Sequence, residues 1–257
     1  FINEKKVINQ KYKKRYDANI YLKKPTSEIC KLKARVRISG DWKDHIQNTK
    51  YGNIISSLDV SLSEGNINGI TKFKLLIPST RKGSSEVILS LFLKEMGYLS
   101  PRTEIVKVNL NNKSFEMIFQ EKATKELLEN NNLRESAILE SDESLLWEIR
   151  SKNDSIDNNG NIFPRVINNK WIKSNLINQK IGLEAANIFS EAILESWNRG
   201  GLHNEIIFSD YILSNGNIKN KKLLSRYKAH LIASGSQHAL YNHNRRFYYD
   251  PINKSLL

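Results

Sequence analysis

Three stretches in the first third of the chain alternate between apolar and polar residues, and then the period changes. "LKARVRISG" (Leu32 to Gly40) sets Leu32, Ala34, Val36 and Ile38 on one side and Lys33, Arg35 and Arg37 on the other. "SSLDVSLSEG" (Ser56 to Gly65) alternates in the same way. "NGITKFKLLIP" (Asn68 to Pro78) divides Phe73, Leu75 and Ile77 from Lys72, Lys74 and Leu76. A period of two marks a half-buried strand, because successive side chains of an extended chain leave opposite faces. Asn68-Gly69 supplies a turn before the third stretch, since both residue types tolerate positive φ. The expectation is an antiparallel meander.

In "SSEVILSLFLKEMG" (Ser84 to Gly97) the apolar spacing turns helical, with Ser84 or Ser85 as N-cap and Gly97 as C-cap. "TEIVKVNLNNKSFEMIFQEK" (Thr103 to Lys122) reads as a hairpin turning at "NLNNKS". "TKELLENNNL" starts another helix. Residues 151–170 are polar and read as a loop or lid. Leu176 to Trp197 and Lys221 to Ser234 read as helices, and "RRFYYDP" (Arg245 to Pro251) as a strand. Lys5 to Pro25 is basic and only weakly periodic, and reads as a helix or an arm packed on the main body. The class is α+β: a basic arm and β-rich lobe over residues 1–125, then a mainly helical lobe over residues 126–257.

The chain has 257 residues, of which 39% are hydrophobic, which is enough for one large or two small domains. Its net charge of +13 permits an anionic partner but names none, and a solvated basic face is the plainer reading. A single cysteine, Cys30, excludes an intrachain disulfide framework and a CxxC zinc site. No apolar run approaches the length of a membrane span. The chain opens on Phe1 rather than Met, so the compartment is left open between cytoplasm and cell envelope.

An antiparallel lobe with one helix, joined to a helical lobe, is the architecture that protein kinases use. Phosphoryl transfer there needs a strand cation for the nucleotide phosphates, a helix acid that holds it, metal ligands and a group that orients the acceptor hydroxyl. Lys72 and Lys74 are the strand cations, with Arg81 just beyond in "PSTRKGSSE", and Glu86 is the helix acid near a helix N-terminus. The plainer alternative is an acidic cap beside solvent-facing lysines. In "HALYNHN", Asn244 can offer its side-chain oxygen to a divalent cation. His238 or His243 has a pKa suited to general-base work near pH 7. Histidine-only zinc binding is the rival, but no carboxylate or cysteine completes a set at ligand spacing. There is no Walker A sequence, GxGxxG or HExxH. "GDWKDH" can cover phosphates with backbone N–H groups or simply cap the sheet with a buried Trp42.

The order of these motifs resembles the CotH kinase family, the atypical protein kinases first known from bacterial spore coats. The similarity spans most of residues 32–257 and rests on "RVRISGDWKDH", "GITKFKLLIPSTRKGSSE", "LKEMGYLSPRTEIVKVNLNN", "FQEKATKELLE" and "HNRRFYYDP". The resemblance implies a divergent two-lobe kinase fold using ATP with Mg²⁺ or Mn²⁺. Lys72 or Lys74 looks like the phosphate-contacting cation, with the register left open. Arg81 belongs to the same patch, and Glu86 is similar to the supporting helix acid. Arg37 begins the region matching the family's first loop, and Glu121 falls near the adenine position. Asn244 matches the metal-binding Asn, and His238 stands roughly at the catalytic-loop acid. The family continues past the aromatic strand to a metal-binding Asp, whereas this chain stops at Leu257. The expectation is therefore an apparently truncated kinase whose remaining carboxylate lies beyond these residues.

On that footing the expected function is transfer of the ATP γ-phosphate to a hydroxyl of a protein (Ser or Thr) or glycan. The alternative is a non-catalytic basic binding or scaffold protein of the cell envelope, or a pseudokinase remnant. Nucleic acid is disfavoured because no reader motif is present.

Overall fold

A computed structural model describes residues 7–23, 26–48, 52–152, 163–198, 208–240 and 244–257. The chain divides into two compact units. The first runs to Leu133 and takes in the segment from Trp147; the second holds Arg134–Leu146 and the remainder to Leu257.

The first unit is built on β1 (Tyr16–Lys23), β2 (Ile29–Ile38), β3 (Ile46–Asn48), β4 (Ile54–Ser56), β5 (Leu58–Leu62) and β6 (Lys72–Leu76). Helix α1 (Ser85–Glu95), the hairpin β7 (Thr103–Leu110) and β8 (Lys113–Glu121), and α2 (Lys125–Asn130) follow. Six strands form one antiparallel sheet in the order β1-β2-β5-β6-β8-β7, and β3 and β4 pair separately. The meander β2-β5-β6 is thus continued by β8, the second strand of the hairpin, because α1 carries the chain across before the hairpin folds back.

The apolar residues predicted to share a face on β2, β5 and β6 do so, but burial alternates only on β2: on the other side of the sheet Asp59 of β5 and Leu76 of β6 are buried too. Ala34, Val60, Leu62, Phe73 and Phe119 fill one face, with the rings of Phe73 and Phe119 stacked at 4.6 Å. Ile20 on edge strand β1 and Val106 on edge strand β7 pack against this same cluster, so the sheet is curled about its apolar side. Both expected turns use positive φ: Asn68 and Gly69 before β6 (49° and 79°), and Asn111 and Asn112 in the hairpin (51° and 63°).

Three expectations are corrected here. The basic N-terminal stretch, expected as a helix or an arm packed on the main body, is not helical over Tyr16–Lys23; it is edge strand β1, paired with β2 along its length. Helix α1 exists where expected, with Ser84 at its N-cap, but its C-cap is Met96 with Gly97 following at φ +83°, and its apolar periodicity does not mark its buried face: Ile88, Leu91 and Phe92 are exposed, while Ser90 is buried. Trp42 is 43% exposed and meets Trp147 edge to face at 5.4 Å. The buried ring of that loop is His45, which lies directly against Gly40.

The second unit has helices α3 (Ser144–Lys152, which crosses the division), α4 (Asn169–Ile172), α5 (Leu176–Asn198), α6 (Asp210–Leu213) and α7 (Ile218–Ala233). It also has β9 (Ile138–Ser141), β10 (Pro164–Val166), β11 (Phe247–Asp250) and β12 (Ser255–Leu256), in a sheet of order β10-β9-β11-β12. The expected loop over residues 151–170 therefore contains a strand, paired to β9. The sheet packs on α5 through Phe189, Phe208 and Phe247, whose ring centroids stand 5.1 to 5.4 Å apart. The molecule is α+β, with a curled antiparallel sheet and several helices.

Candidate functional site

The polar side of the first unit's sheet carries the candidate site. Residues directly opposite each other on antiparallel strands point to the same face. One such line crosses five strands: Arg37 on β2, Asp59 on β5, Lys74 on β6, Gln120 on β8 and Thr103 on β7. Each alternates with residues of the apolar cluster, so all five leave the opposite side. Helix α1 reaches this face at its first turn, where Glu86 Oε1 accepts a hydrogen bond from Gln120 Nε2 at 2.7 Å. Glu86 and Lys74 therefore serve the same side of the sheet. Lys72 lies on that face too, one alternation along β6.

Asp59 is the centre of charge. Its side chain is 3% exposed and contacts three cations: Arg15 at 2.9 Å, Lys122 at 2.9 Å and Arg37 at 3.3 Å. Burial alone would raise its carboxyl, but Lys122, then Arg15 and Arg37, overcome that and hold it down at about 2. Lys122 does not gain in return. Burial lowers its ammonium, and repulsion from Arg37 and Arg15 adds to this against the pull of Asp59. One carboxylate is shared among three cations, which holds Asp59 down, whereas Lys122 is lowered chiefly by its own burial, with repulsion from Arg37 and Arg15 a smaller cause. Arg37 Nε is buried with no hydrogen-bond partner among the described residues.

The surplus extends toward "GDWKDH". Ser57 is fully buried, and its Oγ accepts from Ile77 N at 3.1 Å and meets His45 Nδ1 at 2.9 Å. Burial pushes His45 below its ordinary value; Asp44 opposes this, while Arg81 and Lys74 push further down. Arg81 Nε is itself buried without a partner among the described residues. Gly40, at φ +93°, is required here: a side chain would occupy the volume of the His45 ring.

Lys72, Lys74, Arg81, Arg37 and Glu86, all expected from the sequence, belong to this one basic face or to the His45 cluster beside it. Glu121 does not share it. Position 121 alternates to the other side, opposite Phe73, and its carboxylate takes both branches of Arg102 at 2.8 and 2.7 Å. Sequence reasoning missed Asp59, Arg15, Lys122 and Gln120. Asp59 falls on the polar beat of its strand and so looks solvated, while its partners Arg15 and Lys122 lie 44 and 63 positions away.

Of the residues expected in the second unit, Asn244 is exposed, and His243 and the side chain of His238 lie outside the described residues. Among the described residues no three His, Cys, Asp or Glu side chains group as a metal set. Neither a protein-family model nor a curated protein matches this chain in sequence.

Proposed function

We propose that the first unit binds the phosphates of ATP on this face and that the protein is a kinase-like phosphotransferase with a hydroxyl acceptor, in line with its resemblance to the CotH kinases. The observation that carries the reading is the line Arg37-Asp59-Lys74-Gln120 with Glu86 brought onto it from α1. Protein kinases place their phosphate-contacting lysine on the third strand of the sheet and its partner acid on the helix that follows. Here Lys74 is on β6, the third strand of the meander, and Glu86 is on α1, the next helix. Between Lys72 and Lys74 the reading takes Lys74, because it stands opposite the glutamine that Glu86 holds.

In this reading the cation surplus binds phosphate oxygens, with Lys74 and Arg37 as the contacting groups. Asp59 holds the Arg37 guanidinium and Lys122 in place without neutralising them. Glu86 and Gln120 fix the α1 side of the site. ATP supplies the phosphoryl group: its γ-phosphorus forms a bond to the acceptor oxygen as the bond to the bridging oxygen breaks. The hydroxyl proton passes to a base, the role that the CotH resemblance gives to His238. Mg²⁺ or Mn²⁺ belongs to the same reading, with Asn244 as one ligand.

The test is calorimetric titration of ATP, with and without Mg²⁺ or Mn²⁺, into the wild type and three variants. Lys74→Ala and Arg37→Ala should each weaken ATP binding by about tenfold or more, as expected when a charged contact to phosphate is lost. Lys219→Ala, exposed on α7, should leave it unchanged. Wild-type protein that binds no ATP at millimolar concentration, or a Lys74→Ala variant that binds as the wild type does, would sink the reading.

A further inference from the structure

Beyond the nucleotide reading, and independent of it, strand β2 carries a second feature on the same side of the sheet. Lys31, Lys33, Arg35 and Arg37 occupy alternate positions of one ten-residue strand and point to one face. Successive members stand about 6.7 Å apart, the length of two strand residues. The outer part of the row is open: Lys33 and Arg35 side chains are 66% and 58% exposed.

The groups that already touch this row identify the chemistry it accepts. Lys33 meets Glu64, in the bend after β5, at 2.8 Å and Arg35 meets Asp17, on β1, at 3.7 Å, so the row's counter-ions are carboxylates. Those carboxylates are themselves 64% and 95% exposed, and such surface pairs are weak and readily exchanged. The 6.7 Å repeat is also the repeat of alternate side chains in any extended peptide. An extended segment with an acid at every second position matches the row one to one.

Single-stranded nucleic acid fits less well. Proteins that read it offer several aromatic faces for base stacking. The charged face of β1 and β2 has one, Tyr21, and the Lys31 ammonium sits over its ring at 6.0 Å from the centroid.

We propose that the outward face of β2 is a docking surface for an extended acidic polypeptide segment, with Lys31, Lys33 and Arg35 each taking one carboxylate. The probe is a fluorescent peptide of alternating glutamate and serine, about twelve residues long, long enough to span the row. Its anisotropy is compared with that of a peptide of the same composition whose glutamates are in one block. The alternating peptide should bind about fivefold or more tightly than the block peptide, because only it matches the register. The triple reversal Lys31→Glu, Lys33→Glu, Arg35→Glu should lower binding by about tenfold or more at low salt. The triple Lys31→Gln, Lys33→Gln, Arg35→Gln, which adds no repulsion, guards against a folding defect and should lose binding likewise while keeping the wild-type melting curve. Reversing Lys219, Lys221 and Lys222 on α7 changes net charge equally and should leave binding alone. Three outcomes would overturn the proposal: equal binding of the two peptides, equal loss in the α7 triple, or tighter binding of oligo-dT through the same β2 side chains. Because no nucleotide is added, failure here leaves the ATP titration to stand or fall separately.

Discussion

Two buried carboxylates in this protein are each surrounded by cations, and they do opposite things. Asp59, in the first unit, is shared by Arg15, Arg37 and Lys122. Glu140, in the second, pairs with Arg165 and with Arg246 at 3.0 Å. Arg165 also meets Asp142 at 3.3 Å, so that cluster balances two acids against two arginines. Burial opposes ionisation of Glu140, but Arg246 and Arg165 prevail and its carboxyl is held below the ordinary range. The Glu140 cluster is complete. It ties β9 to β10 and to the residue before β11, and it has no appetite for a further anion. The Asp59 cluster sets one carboxylate against three cations, and Lys72, Lys74 and Glu86 lie on the same face of the sheet. Contact lists alone would make the two look alike; the count of charges separates them.

Removing each carboxylate is the strongest way to break the comparison. Asp59→Asn leaves three partly buried cations facing one another and should destabilise the first unit by about 3 kcal/mol, the range seen when one partner of a buried ion pair is deleted. Glu140→Gln should cost less, about 1 kcal/mol, because Arg165 and Arg246 are 45% and 48% exposed and water can take over. Chemical denaturation of the two variants measures both. Inorganic triphosphate should raise the melting temperature of Asp59→Asn more than that of the wild type, and should do nothing specific for Glu140→Gln. Equal losses, or equal rescue, would mean that the two clusters are the same kind of structure.

The apolar half of this contrast was legible in the sequence, and the polar half was not. Phe73 and Leu75 alternate with Lys72 and Lys74, so a local rule finds the face that Lys74 occupies. The Asn68-Gly69 turn and the Asn111-Asn112 turn are local as well. The Asp59 cluster joins residues from Arg15 to Lys122, and no window shows it. In the second half, β9 is four residues long and β12 two, too short for a period to register, so a four-stranded sheet hid among helices. Helix α1 misled for another reason. Its apolar residues keep helical spacing, but the sheet face it meets is polar at Gln120, and Glu86 rather than Ile88 makes that contact.

Acid titration sharpens the comparison at lower cost to the fold. The Asp59 carboxyl lies at about 2 in the folded protein against an ordinary 3.8. Its folded value is depressed, so the unfolded chain binds the proton first. The stabilisation is fully present above about pH 4 and is lost as pH falls toward 2. The gap corresponds to about 2 kcal/mol. Carboxyl-carbon NMR should show Asp59 titrating near 2, and denaturation between pH 4 and 2 should follow it. Glu140→Gln should retain most of that acid loss. An Asp59 that titrates in the ordinary range would remove the argument for a surplus of cations around it.

The smallest effect is read at His45, which reports on the surplus because Arg81 and Lys74 both act on it. Its folded value lies below the ordinary 6.5. Between those two values the unfolded chain holds a proton that the folded protein does not. Stability from this residue is therefore present at neutral pH and declines as pH falls below about 6.5. An anion bound at Lys74 offsets part of the positive field, so triphosphate should move the His45 titration upward, toward its ordinary value, by a few tenths of a pH unit at moderate salt. Ring-proton NMR of wild type and Lys74→Ala, each with and without triphosphate, tests this. In Lys74→Ala the anion-free titration should already lie higher, and triphosphate should move it less. A His45 titration that triphosphate leaves in place would show that the anion, if it binds, does so away from the line of Arg37, Asp59 and Lys74, and the difference between the two carboxylate clusters would then be one of stability alone.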